Sequence, residues 1–380
     1  MRSSLLMGTE ILLASVLLCG CGGPVVSQGV NCPGCASSGE QTVRPVVTTT
    51  SAQNGAVIVS MSSATAGATI LYTLDGSAPS ASSASTFTYF APFLVASNLT
   101  LTAQAISTDP SYAASPLVTV PFAPNIASGT LVWSDEFANS SGANARPNSQ
   151  TWTYDTGSSG FGNQELEAYC SWGSTATPCD PANPNAYEDA GGILHIVARK
   201  PSVGVYTSAR MKTQGLFSFQ YGRIEARMKL PESQGMWPAF WLLGNNITSV
   251  NWPACGELDV MEHINGSNPQ NEGFDWVQGS IHGTGLNGGT QFHPAGFSAT
   301  AWHTYGMTWS KGKIQFYVDD PSSVYATFTS TTQTGTWPFD SGPEFVIMNL
   351  AVGGNWPGSP DATTVFPSEI QVDYVRVYTN

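Results

Sequence analysis

Along most of this chain apolar and polar residues alternate every second position, and no long segment repeats every 3.6 residues. Between residues 43 and 123, "AVIVSMSS", "ATILYTLDGSAPS", "PFLVASNLTLTAQAIS" and "PLVTVPF" read as short strands joined by Ser/Thr/Ala turns. Asp75-Gly76, after "ILYTL", marks a tight turn. Further on, "YGRIEARMKL" sets Ile224, Ala226, Met228 and Leu230 against Arg223, Glu225, Arg227 and Lys229. One face belongs to a core and the other is polar, as on the inner strand of a cleft. One run breaks the rhythm. In "GELDVMEH", Glu257 and Asp259 share a strand face, but Glu262, five residues after Glu257, points the other way on a regular strand. A one-residue β-bulge between Asp259 and Glu262 returns it to the same face. The expected class is all-β, built as sandwiches or barrels.

Composition divides the chain. Of 380 residues, 41% are hydrophobic and only 10% charged, and the length favours more than one domain. The first residues carry one Arg before an apolar core, Ile11–Leu18, too short to span a bilayer. This predicts an export signal over 1–21. Its end, "LCGC", resembles the lipobox of bacterial lipoproteins, with Cys21 as the residue to be lipidated. The expected location is the bacterial cell envelope or the extracellular space, with a lipid anchor as the only membrane contact. Residues 22–42 read as a flexible tether. They include "CPGC", Cys32 and Cys35, without the βαβ context of a redox pair or a second pair for zinc. Residues 43–123 form a small module, "APNIASGT" a second linker, and 129–380 one large β-domain. All 11 Trp lie at or beyond Trp133. Cys170 and Cys179 flank a Pro-containing loop and can bridge in an oxidising compartment; Cys255 is left over as a buried thiol. The formal net charge of −13 makes nucleic acid and anionic membranes poor partners and suits a neutral substrate. The chain is expected to be monomeric.

Three acids without a basic neighbour repel one another, so at least one carboxyl keeps its proton near neutral pH. An ionised carboxylate beside a protonated one is the equipment of glycosidic cleavage: one attacks the sugar carbon and the other protonates the leaving oxygen. A retaining mechanism wants the pair ~5–5.5 Å apart. Four effective steps on a flat strand cover ~13 Å, so the strand must curve. Asp259, between them, can hold the nucleophile and keep the two glutamates distinct. A Ca²⁺ site or an acidic solvated edge are the alternatives. Leu258, Val260 and Met261 between the acids suggest a central strand and fit both badly. Indoles nearby suit a polysaccharide, whose sugar C–H faces pack on flat rings. Trp237, Trp241 and Trp252 are the candidates, Trp241 being the nearest of them to a core position.

"WPAFWLLG…WPACGELDVMEH" resembles glycoside hydrolase family 16, the laminarinase-type endo-β-1,3-glucanases with a bulged E-x-D-x-x-E motif. "LVWSDEF", "GFGNQELEAY", "GGILHIVA", "GSIHGTG", "WHTYGMTWS", "IQFYVDD", "FVIMNLAVGGNWPG" and "VDYVRVY" agree in order across 130–380. The resemblance implies a concanavalin A-like jelly roll of two curved antiparallel sheets, with the cleft on the concave face. It implies Glu257 as nucleophile, Glu262 as acid/base and Asp259 as supporting acid. It further implies substrate contacts at Glu225, Arg227, Asn163, His282 and Asn349, with Glu165 as an additional possibility. Glu167 stands where Gln is more usual. Glu136, Gly192 and Asp373 match positions where family members hold a structural Ca²⁺; no catalytic metal or other cofactor is implied. Residues 43–123 resemble the immunoglobulin-like module at the C-terminus of chitobiases, read either as a rigid spacer or as a weak carbohydrate-binding surface. The function implied is hydrolysis of internal β-1,3 bonds in glucans such as laminarin. The alternatives are the same fold acting on mixed-linkage glucan or agar- and carrageenan-type galactan, and a non-catalytic β-glucan-binding protein. Few basic residues disfavour sulfated galactans, and retention of both glutamates disfavours a binding protein.

Overall fold

Short alternating segments form strands because each has one face to bury, and here they assemble into two sandwiches. The computed structural model describes residues 40–138, 142, 144–264, 273 and 275–380. Cys21, the proposed lipid site, lies outside them. The smaller sandwich pairs a three-stranded sheet (Val46–Ser51, Val57–Ser62, Phe93–Val95) with a four-stranded one (Phe87–Thr88, Thr69–Thr73, Leu99–Ile106, Val118–Phe122). Val59, Ile70, Tyr72, Phe93 and Leu101 fill it. The Asp75-Gly76 turn is closed by Ser77, whose backbone N–H donates to the Asp75 carboxylate at 3.0 Å.

The larger sandwich stacks a ten-stranded sheet on a seven-stranded one. The seven-stranded sheet runs Leu286–Phe292, Val277–Gly283, Glu257–Glu262, Met236–Gly244, Glu344–Val352, Arg210–Lys212, Thr153–Asp155, each antiparallel to its neighbour. Its inner face (Phe240, Leu242, Leu258, Met261, Val346, Met348) meets Ile224, Ala226, Met228, Met307 and Trp309 of the other sheet in one core. That leaves its outer face to form a cleft. The all-β jelly-roll expectation holds.

The two sandwiches are not loosely tethered. Ala56, 1% exposed, belongs to the larger core rather than to the smaller. The Leu94 amide donates to the Ser218 carbonyl at 2.9 Å, and the Ser218 hydroxyl donates to the Pro92 carbonyl at 2.7 Å. The Gln53 amide bonds Val132 O, and the Asn54 side chain bonds Leu131 O. "APNIASGT" is itself tied down, Asn125 by Asn98 and Gly129 by Thr379. The only disulfide among the described residues joins Cys170 to Cys179, and Cys255 is a buried free thiol.

Candidate active site

The bulge is present. Glu257 pairs with Leu243, Asp259 with Trp241 and Glu262 with Ala239, while Met261 faces Phe240, so Val260 is the extra residue. Positions 239, 241 and 243 lie on one face, and therefore so do the three acids. Val260 and Met261 both enter the core, at 2% and 0% exposure. On the other flank, Glu257 faces His282, Asp259 faces Ser280 and Glu262 faces Gln278.

Each acid has different company. His282 Nε2 lies 3.1 Å from Asp259 Oδ2 and 3.9 Å from Glu257 Oε1. Asp259 Oδ2 has no aligned hydrogen-bond donor, so the imidazole beside it makes no directed bond to that oxygen. Trp237 donates its indole N–H to Glu262 Oε1 at 3.1 Å, and the Ser280 hydroxyl donates to Glu262 Oε2 at 3.4 Å. Burial pushes the Glu257 carboxyl well above the usual range, and Asp259 beside it adds to this. Asp259 is raised by burial and then by Glu262. Glu262 is raised by burial, against which the Trp237 hydrogen bond and His282 pull down. The triplet therefore holds protons at pH values where free carboxylates have lost theirs. Glu257, Asp259 and His282 also bring donor atoms within 4.8 Å of one another. The calcium alternative had grouped Glu262 with these acids; its carboxylate is instead engaged by Trp237 and Ser280.

An open cleft of about 350 Å³ surrounds the acids, and Trp237, Trp241, Trp252, Asn163 and Asn349 line it. Trp252 is 58% exposed, a free platform. Trp241 faces the cleft rather than the core, and its indole N–H donates to Asn349 Oδ1 at 2.8 Å. A polar chain continues from there. Asn349 Nδ2 donates to the Tyr169 hydroxyl, which donates to Glu165, which also accepts from Asn163 Nδ2. Arg210 was not foreseen. Its guanidinium lies between the Trp241 and Phe161 rings, 4.6 and 5.1 Å from their centroids, and Nε reaches Asp155 at 3.1 Å. Arg210 sits in a three-residue strand, too short for its alternation to signal a role. His282 stands beside the acids.

One expectation fails. Glu225 and Arg227 lie on Gly222–Lys229, which belongs to the ten-stranded sheet, not the cleft sheet. Glu225 is buried, bonded to Arg223 and accepting from the Tyr317 and Tyr378 hydroxyls at 2.7 and 3.1 Å. Arg227 pairs with Asp373 at 2.6 Å and lies over Trp302. Alternation identified a polar face correctly but could not say which layer carried it. The residues named for calcium come together only in part. Gly192 nests against the carbonyls of Glu136 and Phe137: a Cβ there would lie 3.9 and 3.8 Å from them. The carboxylates, however, go to arginines, Glu136 to Arg376 at 2.8 Å and Asp373 to Arg227.

The profile of Glycosyl hydrolases family 16 matches residues 175–376, and that of the Chitobiase/beta-hexosaminidase C-terminal domain matches residues 48–119. A beta-glucanase of Rhodothermus marinus is 40% identical over 65% of this chain and 84% of its own length. A keratan-sulfate endo-1,4-beta-galactosidase of Sphingobacterium multivorum is 36% identical over 65% of this chain and 54% of its own. The laminarinase catalytic domain of Thermotoga maritima superposes with a TM-score of 0.56 at 36% identity, over 67% of this chain and 99% of that one.

Proposed function

The chain belongs to glycosyl hydrolase family 16, and from that premise we propose that it is a retaining endo-β-1,3-glucanase acting on glucans of the laminarin type. The observation that carries the reading is the bulge at Val260, which sets Glu257, Asp259 and Glu262 on one face of an indole-walled cleft. In the first step the Glu257 carboxylate attacks the anomeric carbon while the Glu262 carboxyl gives its proton to the leaving glycosidic oxygen. In the second, the Glu262 carboxylate takes a proton from water, the water oxygen attacks the same carbon, and Glu257 leaves as carboxylate. Asp259 and His282 flank Glu257 as it forms and loses the bond. Trp252 and Trp241 stack sugar rings; Asn349, held by Trp241 and Tyr169, offers its amide to hydroxyls.

The proposal extends to location and support. Residues 1–21 export the chain, Cys21 anchors it at the cell envelope, 43–123 and 129–380 are its two domains, and it works as a monomer. A calcium ion at the edge of the larger sandwich would draw on the Glu136 and Gly192 carbonyls and on Asp373 once released from Arg227; it would tie the first strand to the last. The carbonyls packed around Gly192 are the oxygen donors such an ion takes.

Purified protein incubated with laminarin, curdlan, mixed-linkage glucan, agarose and keratan sulfate, with reducing ends measured, tests the substrate. Release from laminarin and curdlan is expected. Release from a galactan but not from laminarin overturns the β-1,3-glucan reading, and the galactosidase relative makes that arm worth including. Laminarin binding without release from any polymer would support the non-catalytic alternative.

A further inference from the structure

A second groove, of about 210 Å³, opens where the two sandwiches meet. The small sandwich contributes Phe87 and Phe90, and the segment leading from the cleft sheet to Glu257 contributes Asn245, Asn246, Ser249 and Val250. No charged side chain lines it. Phe90 is 40% exposed. Asn245 is 9% exposed; its Nδ2 donates to the Ser218 hydroxyl at 2.7 Å, and its Oδ1 has no donor. Asn246 Oδ1 is buried without a donor as well.

Position supplies the rest. The short helix Ile247–Val250 is a shared wall: Ile247, with Trp252 just beyond the helix, lines the catalytic cleft, whereas Ser249 and Val250 line the groove. The opposite wall is held in place, because Ser218 bonds Pro92 and Leu94 of the small sandwich and Asn245 together. An exposed aromatic ring, amide and hydroxyl side chains and absence of charge match a neutral sugar chain and match neither a peptide of fixed charge nor a nucleotide.

We propose that this groove is a second carbohydrate site, which takes the continuation of the neutral polysaccharide held in the cleft. The proposal rests on the reading of the cleft as a glucan site. It gives the small sandwich a binding role that it exercises only together with the larger one.

Affinity electrophoresis tests it. The full chain carrying Glu257→Gln, which stops hydrolysis, is run through gels containing laminarin, mixed-linkage glucan, agarose or carrageenan. Phe90→Ala and the groove-filling Ser249→Tyr are then added separately, both at exposed positions. Each is expected to weaken retardation in the gels that slow the parent by ~3–10-fold in apparent Kd, the size of one lost ring contact. Thermal melting shows that each variant is folded. Equal retardation of parent and both variants overturns the proposal, as does a parent slowed by no gel or by carrageenan alone. Failure of the glucanase reading appears separately, as no reducing ends from laminarin with the native enzyme.

Discussion

Replacing Glu167 by Gln should stabilise the protein, by an amount that grows as pH rises from 4.5 to about 8. Glu167 is fully buried, and its Oε2 accepts the Val352 amide at 2.7 Å while Oε1 has no donor. Burial, and then the neighbouring Glu165, push its carboxyl up to about 8 from an ordinary 4.5. The folded protein therefore holds a proton there that the unfolded chain has released. Between pH 4.5 and about 8 the native state binds more protons than the unfolded state, so stability falls as pH rises across that window. The gap between 4.5 and about 8, at ~1.4 kcal/mol per pH unit, sets a ceiling near ~5 kcal/mol. Relaxation and water penetration reduce this, and ~2–3 kcal/mol is the working expectation. Gln has the shape of the protonated acid and keeps an oxygen for Val352. Melting curves of parent and variant at pH 4.5 and pH 9 decide the matter. A gain of ~4–10 °C at pH 9 and almost none at pH 4.5 is expected. An equal shift at both pH values, or a loss at pH 9, would refute the argument, because the change would then not come from the desolvated charge.

The remaining predictions concern the cleft and its support. Glu257→Gln and Glu262→Gln should each lower turnover of laminarin by at least ~10²–10⁴-fold without loss of the fold, as read by reducing ends and melting. Because Glu257 must be ionised to attack and its carboxyl is raised by burial, the acid limb of the rate profile should lie above pH 4.5, falling as pH drops; a limb at or below that value contradicts the role. Trp252→Ala, at an exposed ring, should raise KM ~5–10-fold with kcat and melting temperature unchanged. Calcium should raise the melting temperature by ~2–5 °C and a chelator should reverse it; no response to either would remove the ion from the proposal.

How much of this could be read from residues alone depended on what kind of pattern they left. The acid triplet was legible because a strict period of two was broken at one place, and only a bulge reconciles the break with a shared face. Glu225 and Arg227 misled because alternation separates faces within a strand and is silent on which sheet the strand joins. Trp241 was drawn toward the core by its neighbours Phe240 and Leu242, yet those two enter the core because Trp241 does not. Arg210 left no signal, since its contacts to Phe161, Trp241 and Asp155 come from three distant parts of the chain. The docking of the small sandwich was equally silent. It rests on backbone carbonyls, an asparagine, a serine and an alanine, none of which carries a composition signature.

The bulge answers a question that face-sharing alone does not. A regular strand with one residue fewer between Asp259 and Glu262 would also put all three acids on one side, since an even step preserves the face. The extra residue does something else. Val260 and Met261 both turn inward, filling the core opposite one residue, Gly279, of the neighbouring strand. Gly279 is required there: a Cβ would lie 2.6 Å from the Tyr325 hydroxyl and 2.8 Å from Phe316. The bulge thus trades a side chain on one strand for two on the next, and bulged strands bend more sharply. The bend swings Glu262 toward Trp237 and Ser280, whereas Glu257 stays with His282. Two chemically identical carboxyls are thereby given unlike surroundings, which a cleavage needing one proton donor and one nucleophile requires.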